Sequence, residues 1–134
     1  MASSQDRSNR RRILIVDDEP NILRFVTEVL IGAGYDVRCT DHPLEAVGLA
    51  EDFKPHLMIL DMAMPGMDGL DLAEELRAGS KTSGIPVMFL TARKAADGMV
   101  DAKESGAMAY LEKPIHSSKL LWMIKALLND GKET

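Results

Sequence analysis

Leu57-Met58-Ile59-Leu60-Asp61-Met62-Ala63-Met64-Pro65-Gly66-Met67-Asp68-Gly69 is the stretch whose reading decides the fold. Four consecutive apolar residues form a run of strand length without polar alternation, the pattern of a parallel strand covered on both faces. The run stops at a carboxylate, Asp61, and a loop containing Pro65-Gly66 leads into a stretch of helix length over residues 69–79.

The same plan recurs outward from it. Ile13-Leu14-Ile15-Val16 ends in Asp17-Asp18-Glu19, and Val87-Met88-Phe89-Leu90 ends in Thr91-Ala92. Met108-Ala109-Tyr110-Leu111 ends in Glu112-Lys113-Pro114. Tyr35-Asp36-Val37-Arg38-Cys39 alternates more, which suits an edge strand. Between the runs lie helical stretches. Pro20 suits a first helical turn, with Ile22, Val26, Val29 and Ala33 as one stripe and Gly32 and Gly34 as the stop. Residues 43–53, 69–79, 95–105 and 117–129 are the other four, and Gly79, Gly106 and Gly131 end the last three. The fourth, Ala95 to Ser105, has no clear apolar stripe and contains Gly98, so it is expected to be the loosest. Five β–α units in alternation predict an α/β fold: a doubly wound, five-stranded parallel sheet of order 2-1-3-4-5, flavodoxin-like, with five flanking helices. In such sheets ligands sit at the carboxyl edge, where the order reverses between strands 1 and 3.

That edge carries Asp17, Asp18, Asp61, Thr91 and Lys113. Taken singly, Asp18 reads as a helix cap, Thr91 as a turn residue, Lys113 as a solvated charge and Pro114 as a strand stop. Together they read as a site. Carboxylates about 4 Å apart repel by roughly 4 kcal/mol per pair at an effective dielectric of 20. A hard dication removes that repulsion, and oxygen ligands suit Mg²⁺. Beside such an ion, Lys113 can neutralise phosphoryl oxygens, Thr91 can donate a hydrogen bond, and Asp61 can act as the nucleophile.

The bulk properties narrow the classes. The chain has 134 residues, enough for one domain with its own core. Its single cysteine, Cys39, rules out an internal disulfide. No run of about 18 apolar residues exists, which argues against a membrane span. No apolar signal core opens the chain, so a cytoplasmic location is expected. A net charge of −5 argues against direct nucleic-acid binding. The one basic cluster, Arg7, Arg10, Arg11 and Arg12, reads as part of a solvated tail.

The chain resembles the receiver domain of two-component response regulators, the family that includes the chemotaxis response regulator. The matching segments are Ile13 to Pro20, Leu57 to Gly69, Val87 to Ala92 and Gly106 to Pro114. The resemblance implies a flexible tail over 1–11, a receiver over 12–130 and a short C-terminal tail over 131–134. It implies phosphorylation at Asp61, with Mg²⁺ (Mn²⁺ in its place) held directly by Asp18, Asp61 and the Ala63 backbone carbonyl, and by Asp17 through water. Thr91 and Lys113 would contact the phosphoryl group, and Tyr110 would change rotamer as Thr91 moves. Ala63 and Arg93 occupy positions that tune phosphate lifetime in the family. A cis Lys113–Pro114 bond would aim the lysine. The expected donor is a histidine kinase or histidine phosphotransfer protein, and the expected output is a downstream target protein or a self-dimer. Little sequence follows residue 130, so the expectation is a single-domain regulator; the alternative is a receiver excised from a longer regulator or hybrid kinase.

Two rival classes fit less well. A phosphohydrolase with an aspartyl nucleophile needs a second Asp two residues on, where this chain has Ala63. An FMN carrier needs a phosphate cradle in the first loop, where Asp17-Asp18-Glu19 would repel it. His42, His56 and His116 lack metal-ligand spacing and read as surface or cap residues. The methionines read as core filler, except Met62, Met64 and Met67 in the loop beside Asp61. On a helical wheel Trp122 falls opposite the stripe of Leu120, Leu121, Met123, Ile124, Leu127 and Leu128. It is therefore expected to be an exposed aromatic anchor, with Tyr110, on a partner-binding face.

Overall fold

The computed structural model describes residues 10–92 and 109–129. In chain order the elements are β1 (Arg12–Val16), α1 (Pro20–Gly32), β2 (Asp36–Thr40), α2 (Pro43–Phe53), β3 (Leu57–Asp61), α3 (Gly69–Ala78), β4 (Val87–Thr91), β5 (Ala109–Glu112) and α4 (Ser117–Leu128). The five strands form one parallel sheet in the order β2-β1-β3-β4-β5, as the sequence predicts. Four helices are described where five are predicted. The stretch 95–105, expected to be the loosest helix, lies outside the described residues; α4 is the predicted fifth helix.

Strand periodicity divides the core in two, because successive side chains point to opposite faces. Ile13, Ile15, Leu57, Ile59, Met88 and Leu90 pack on one face against Val26 and Leu30 of α1 and Leu120, Ile124 and Leu128 of α4. Leu14, Val16, Met58, Leu60, Val87 and Phe89 pack on the other against Ala46, Ala50 and Phe53 of α2 and Leu72, Ala73 and Leu76 of α3. Every residue of β3 and β4 is buried, so their apolar runs have no solvent face. β2 at the sheet edge has exposed Arg38 and Cys39.

Local chemistry accounts for the boundaries. Pro20 opens α1 at a position where a missing N–H costs nothing. α1 ends as Ala33 and Gly34 turn away, with Gly34 at φ +97. The Tyr35 N–H then bonds back to the Leu30 carbonyl at 3.0 Å, which is why β2 starts at Asp36 rather than at Tyr35 as predicted. The α1 stripe also differs: Ala33 lies beyond the helix and is exposed, and Leu30 takes its place in the core. In α3, the Asp68 carboxylate accepts the Asp71 N–H at 2.9 Å.

Two further readings are corrected. Arg11 and Arg12 are not solvated tail residues. Arg12 opens β1 and its Nε donates to the Phe53 and Lys54 carbonyls at 3.0 and 2.9 Å, while Arg11 donates to the Leu128 carbonyl at 3.2 Å. Met64 is not set apart from the core: it is buried beside Met58 and Leu60, with Met62 and Met67 packed against the same cluster.

Candidate functional site

The carboxyl ends of β1, β3, β4 and β5 are brought together by register. Val16 pairs with Leu60, so Asp17 and Asp61 follow as neighbours on adjacent strands. Asp61 pairs with Leu90, and Thr91, the last residue of β4, pairs with Glu112 of β5. Backbone bonds extend the ladders past the strand ends: Asp17 N–H to Thr40 O at 3.2 Å, Met62 N–H to Leu90 O at 2.8 Å, and Lys113 N–H to Thr91 O at 2.7 Å. The Lys113–Pro114 bond is cis, as the resemblance implies.

Gly69 sets how closely α3 approaches. A Cβ there would collide with the Asp61 carbonyl oxygen and lie 2.9 Å from Met62 Cα. The Gly69 N–H donates to Met62 O at 3.1 Å. The start of α3 thus presses on the backbone that carries Asp61, and only glycine fits.

Lys113 is the hub. Its Nζ lies 2.6 Å from Glu19 Oε1, 3.3 Å from Asp61 Oδ1 and 3.4 Å from Asp17 Oδ2. Oxygens of Asp17, Glu19 and Asp61 all lie within 4.8 Å of one another. Asp17 and Asp61 are buried, at 0% and 3% exposure. Asp17 Oδ1 accepts the Glu19 N–H at 2.8 Å, whereas Asp17 Oδ2 has no hydrogen-bond partner among the described residues. Asp61 Oδ1 accepts the Ala63 N–H at 3.4 Å.

Electrostatics follow from that crowding. Burial and then the Asp17 charge push the Asp61 carboxyl up to about 7, against the pull of Lys113. Burial also raises Asp17, outweighing the Glu19 N–H and Lys113. Burial opposes the Lys113 charge, but the Glu19 hydrogen bond and the three carboxylates outweigh it and hold the ammonium above its ordinary range.

The donor set fits a hard dication. Among the described residues it offers carboxylate oxygens only, and one of them, Asp17 Oδ2, is buried with no hydrogen bond from any of those residues. The structure brings together Asp17, Asp61 and Lys113 of the predicted residues. Asp18, half-buried, stands outside the three-carboxylate cluster and lines a groove with Asp41, His42, Leu44, Pro65 and Met67. Ala63 is exposed in the loop after β3. Thr91 is buried, and Tyr110 is half-buried in β5 against the cluster that holds Leu60 and Phe89. Trp122 is 70% exposed. Arg93 lies outside the described residues. Glu19, to which the sequence reading assigns no role, makes the shortest contact to Lys113. Its signal was a third acid directly before Pro20, where the helix start leaves the side chain free.

Residues 13–125 match the response regulator receiver domain. The chain is 36% identical over 124 residues to the DNA-binding response regulator MtrA of Mycolicibacterium smegmatis, covering 92% of this chain and 53% of that protein. It is 36% identical over 117 residues to PilH of Pseudomonas aeruginosa, covering 87% of this chain and 97% of that protein. The structure of chemotaxis protein CheY4 of Vibrio cholerae superposes with a TM-score of 0.85 at 28% identity, over 89% of this chain and 99% of that one. The chain spans about half the length of MtrA and RpaA relatives. Receiver domains are signalling modules that bind Mg²⁺ through an acidic cluster and interact with histidine kinases or phosphotransfer proteins. On the family match, the shared fold and the acidic cluster at the carboxyl edge, the chain belongs to the response-regulator receiver domains of two-component signalling.

Proposed function

We propose that this chain is a single-domain response regulator in which Asp61 accepts a phosphoryl group from a phosphohistidine donor and thereby switches a protein-binding surface. The observation that carries the reading is the buried Asp61 carboxylate with Lys113 Nζ 3.3 Å from its Oδ1. A carboxylate in that position has a cation beside it to offset phosphoryl oxygens. In the transfer, an Asp61 oxygen forms the new P–O bond as the donor N–P bond breaks. The electron pair stays on the imidazole nitrogen, which takes up a proton. Lys113 and Thr91 bind the transferred group.

Asp17, Asp18, Asp61 and the Ala63 carbonyl would hold Mg²⁺, with Mn²⁺ able to replace it. When bound, the ion supplies a compact positive charge that offsets the clustered carboxylates and the phosphoryl oxygens. Residues 12–130 form the receiver, flanked by segments 1–11 and 131–134, and the protein works in the cytoplasm. Its donor is a histidine kinase or histidine phosphotransfer protein. The output is a downstream protein or a second copy of the chain, through a surface that includes Tyr110 and Trp122. PilH, nearly all of whose length is covered, supports the single-domain reading. A second reading, a receiver belonging to a longer regulator, is favoured by MtrA, of which only 53% is covered.

The test is intact-mass analysis after incubation with acetyl phosphate and Mg²⁺. The wild-type chain gains one phosphoryl group, and Asp61→Asn gains none while its circular dichroism is unchanged. One added phosphoryl on Asp61→Asn would overturn the assignment.

A further inference from the structure

We infer that Glu19 is a positioning residue that occupies Lys113 in the resting state, so that its carboxylate slows the arrival of a phosphoryl group at Asp61. The inference rests on the reading of Asp61 as the phosphoacceptor. A lysine ammonium has three N–H donors. Among the described residues its carboxylate neighbours are Glu19 at 2.6 Å, Asp61 at 3.3 Å and Asp17 at 3.4 Å, of which Glu19 and Asp61 accept hydrogen bonds from it. An incoming phosphoryl oxygen competes with Glu19 for the ammonium charge.

Glu19 is the partner that can yield. The Asp17 and Asp61 side chains are 0% and 4% exposed, whereas that of Glu19 is 57% exposed, on the solvent side of the ammonium. Its backbone is anchored. The Glu19 N–H is held by Asp17 Oδ1 at 2.8 Å, its carbonyl accepts the Ile22 and Leu23 N–H groups at 3.1 Å each, and Pro20 follows. Its side chain makes no capping bond to the helix. The main chain therefore aims the carboxylate across the site, while the side chain keeps the freedom to swing into water.

Charge adds to occupancy. A Glu19 oxygen lies within 4.8 Å of the Asp61 carboxylate. A doubly negative donor approaching Asp61 meets the Glu19 charge at close range, and a singly negative donor meets half that repulsion. Removing the charge while keeping the shape therefore speeds uptake, most for the doubly negative donor and least at high salt.

The experiment compares wild type with Glu19→Gln. Labelling rates are followed by intact mass with acetyl phosphate, which is doubly charged, and with phosphoramidate, which is singly charged, at low salt and at about 1 M salt, where the screening length falls to roughly 3 Å. Mg²⁺ affinity is measured on both proteins by titration without a phosphodonor. The expected result is that Glu19→Gln takes up phosphoryl from acetyl phosphate about three- to tenfold faster at low salt. The gain is smaller with phosphoramidate and largely gone at high salt, and Mg²⁺ affinity changes by less than about threefold. An equal change with both donors at both salt concentrations is the signature of a structural effect and overturns the inference, as does slower uptake. A tenfold loss of Mg²⁺ affinity overturns it too, by making Glu19 a metal ligand. If wild type itself takes up no phosphoryl group, the phosphoacceptor reading falls as well; if wild type is labelled and Glu19→Gln matches it, only the role of Glu19 falls.

Discussion

The two edges of the sheet treat their charges in opposite ways. At the amino edge the Arg12 guanidinium reaches the Phe53 and Lys54 carbonyls at the C-terminal end of α2, and Arg11 reaches Leu128 at the end of α4. Helix ends leave carbonyls without helical partners and carry partial negative charge, so these cations are matched. His56 completes the pattern: its Nδ1 accepts the Arg12 N–H at 2.9 Å and its own N–H donates to Arg12 O at 2.7 Å. At the carboxyl edge two buried aspartates share one lysine with Glu19, Asp17 Oδ2 has no hydrogen bond among the described residues, and the Asp61 carboxyl is pushed up to about 7. Charges at one edge hold the fold together. At the other the carboxylates oppose one another, a repulsion that a bound dication would relieve. The contrast locates function by electrostatic conflict rather than by the presence of charge.

The sharpest way to break the contrast is to strain the carboxyl edge without touching a charge. Gly69→Ala places a Cβ against the Asp61 carbonyl, and either α3 or the Asp61 backbone must move. The expected cost is about 1–3 kcal/mol in urea unfolding, together with slower labelling at Asp61. A variant as stable as wild type would show that α3 shifts freely.

At the amino edge, Arg12→Met keeps much of the aliphatic stem and removes the two hydrogen bonds to the end of α2. Stability is expected to fall by about 1–2 kcal/mol while the labelling rate with acetyl phosphate stays within twofold. Loss of labelling in a folded Arg12→Met would mean that the two edges are coupled.

The conflict at the carboxyl edge also has a pH signature. Asp61 has its folded pKa raised to about 7 from 3.8, so the metal-free folded state binds more protons than the unfolded chain between those values. The stability from this group is present at low pH and is lost as pH rises toward 7. Asp17 is shifted in the same direction. Mg²⁺ needs the ionised carboxylates, so it is expected to raise the melting temperature more at pH 8 than at pH 5. The gain is about 1.4 kcal/mol when Mg²⁺ is at tenfold its Kd. An equal gain at both pH values would remove the conflict from the explanation.

Trp122 gives the smallest effect, and it separates surface from both edges. At 70% exposure it contributes little to packing, so Trp122→Ala should change stability by less than about 0.5 kcal/mol and leave labelling intact. Its emission in the free chain should be red-shifted. A blue emission would place the indole in an apolar contact.

The sequence by itself determined the architecture and which strand ends meet at one edge of the sheet. The runs at Ile13–Val16, Leu57–Leu60 and Val87–Leu90 are apolar without alternation because both faces of a central parallel strand are buried, and that constraint is local enough to read. The order 2-1-3-4-5 followed from the alternation of strands and helices, and it placed Asp17, Asp61, Thr91 and Lys113 on one edge. Only the tertiary structure decided which partners those side chains take. Lys113 is bound most closely by Glu19, 94 positions away, while Asp18 stands outside the cluster. Nor does local pattern show that Gly69 presses on Asp61, that Arg11 and Arg12 close helix ends, or that Met64 belongs to the core. Periodicity follows from which face of an element is covered and repeats every two or 3.6 residues. A side-chain contact between strand ends depends instead on register, loop path and rotamer together, and these are set only when the whole sheet has formed.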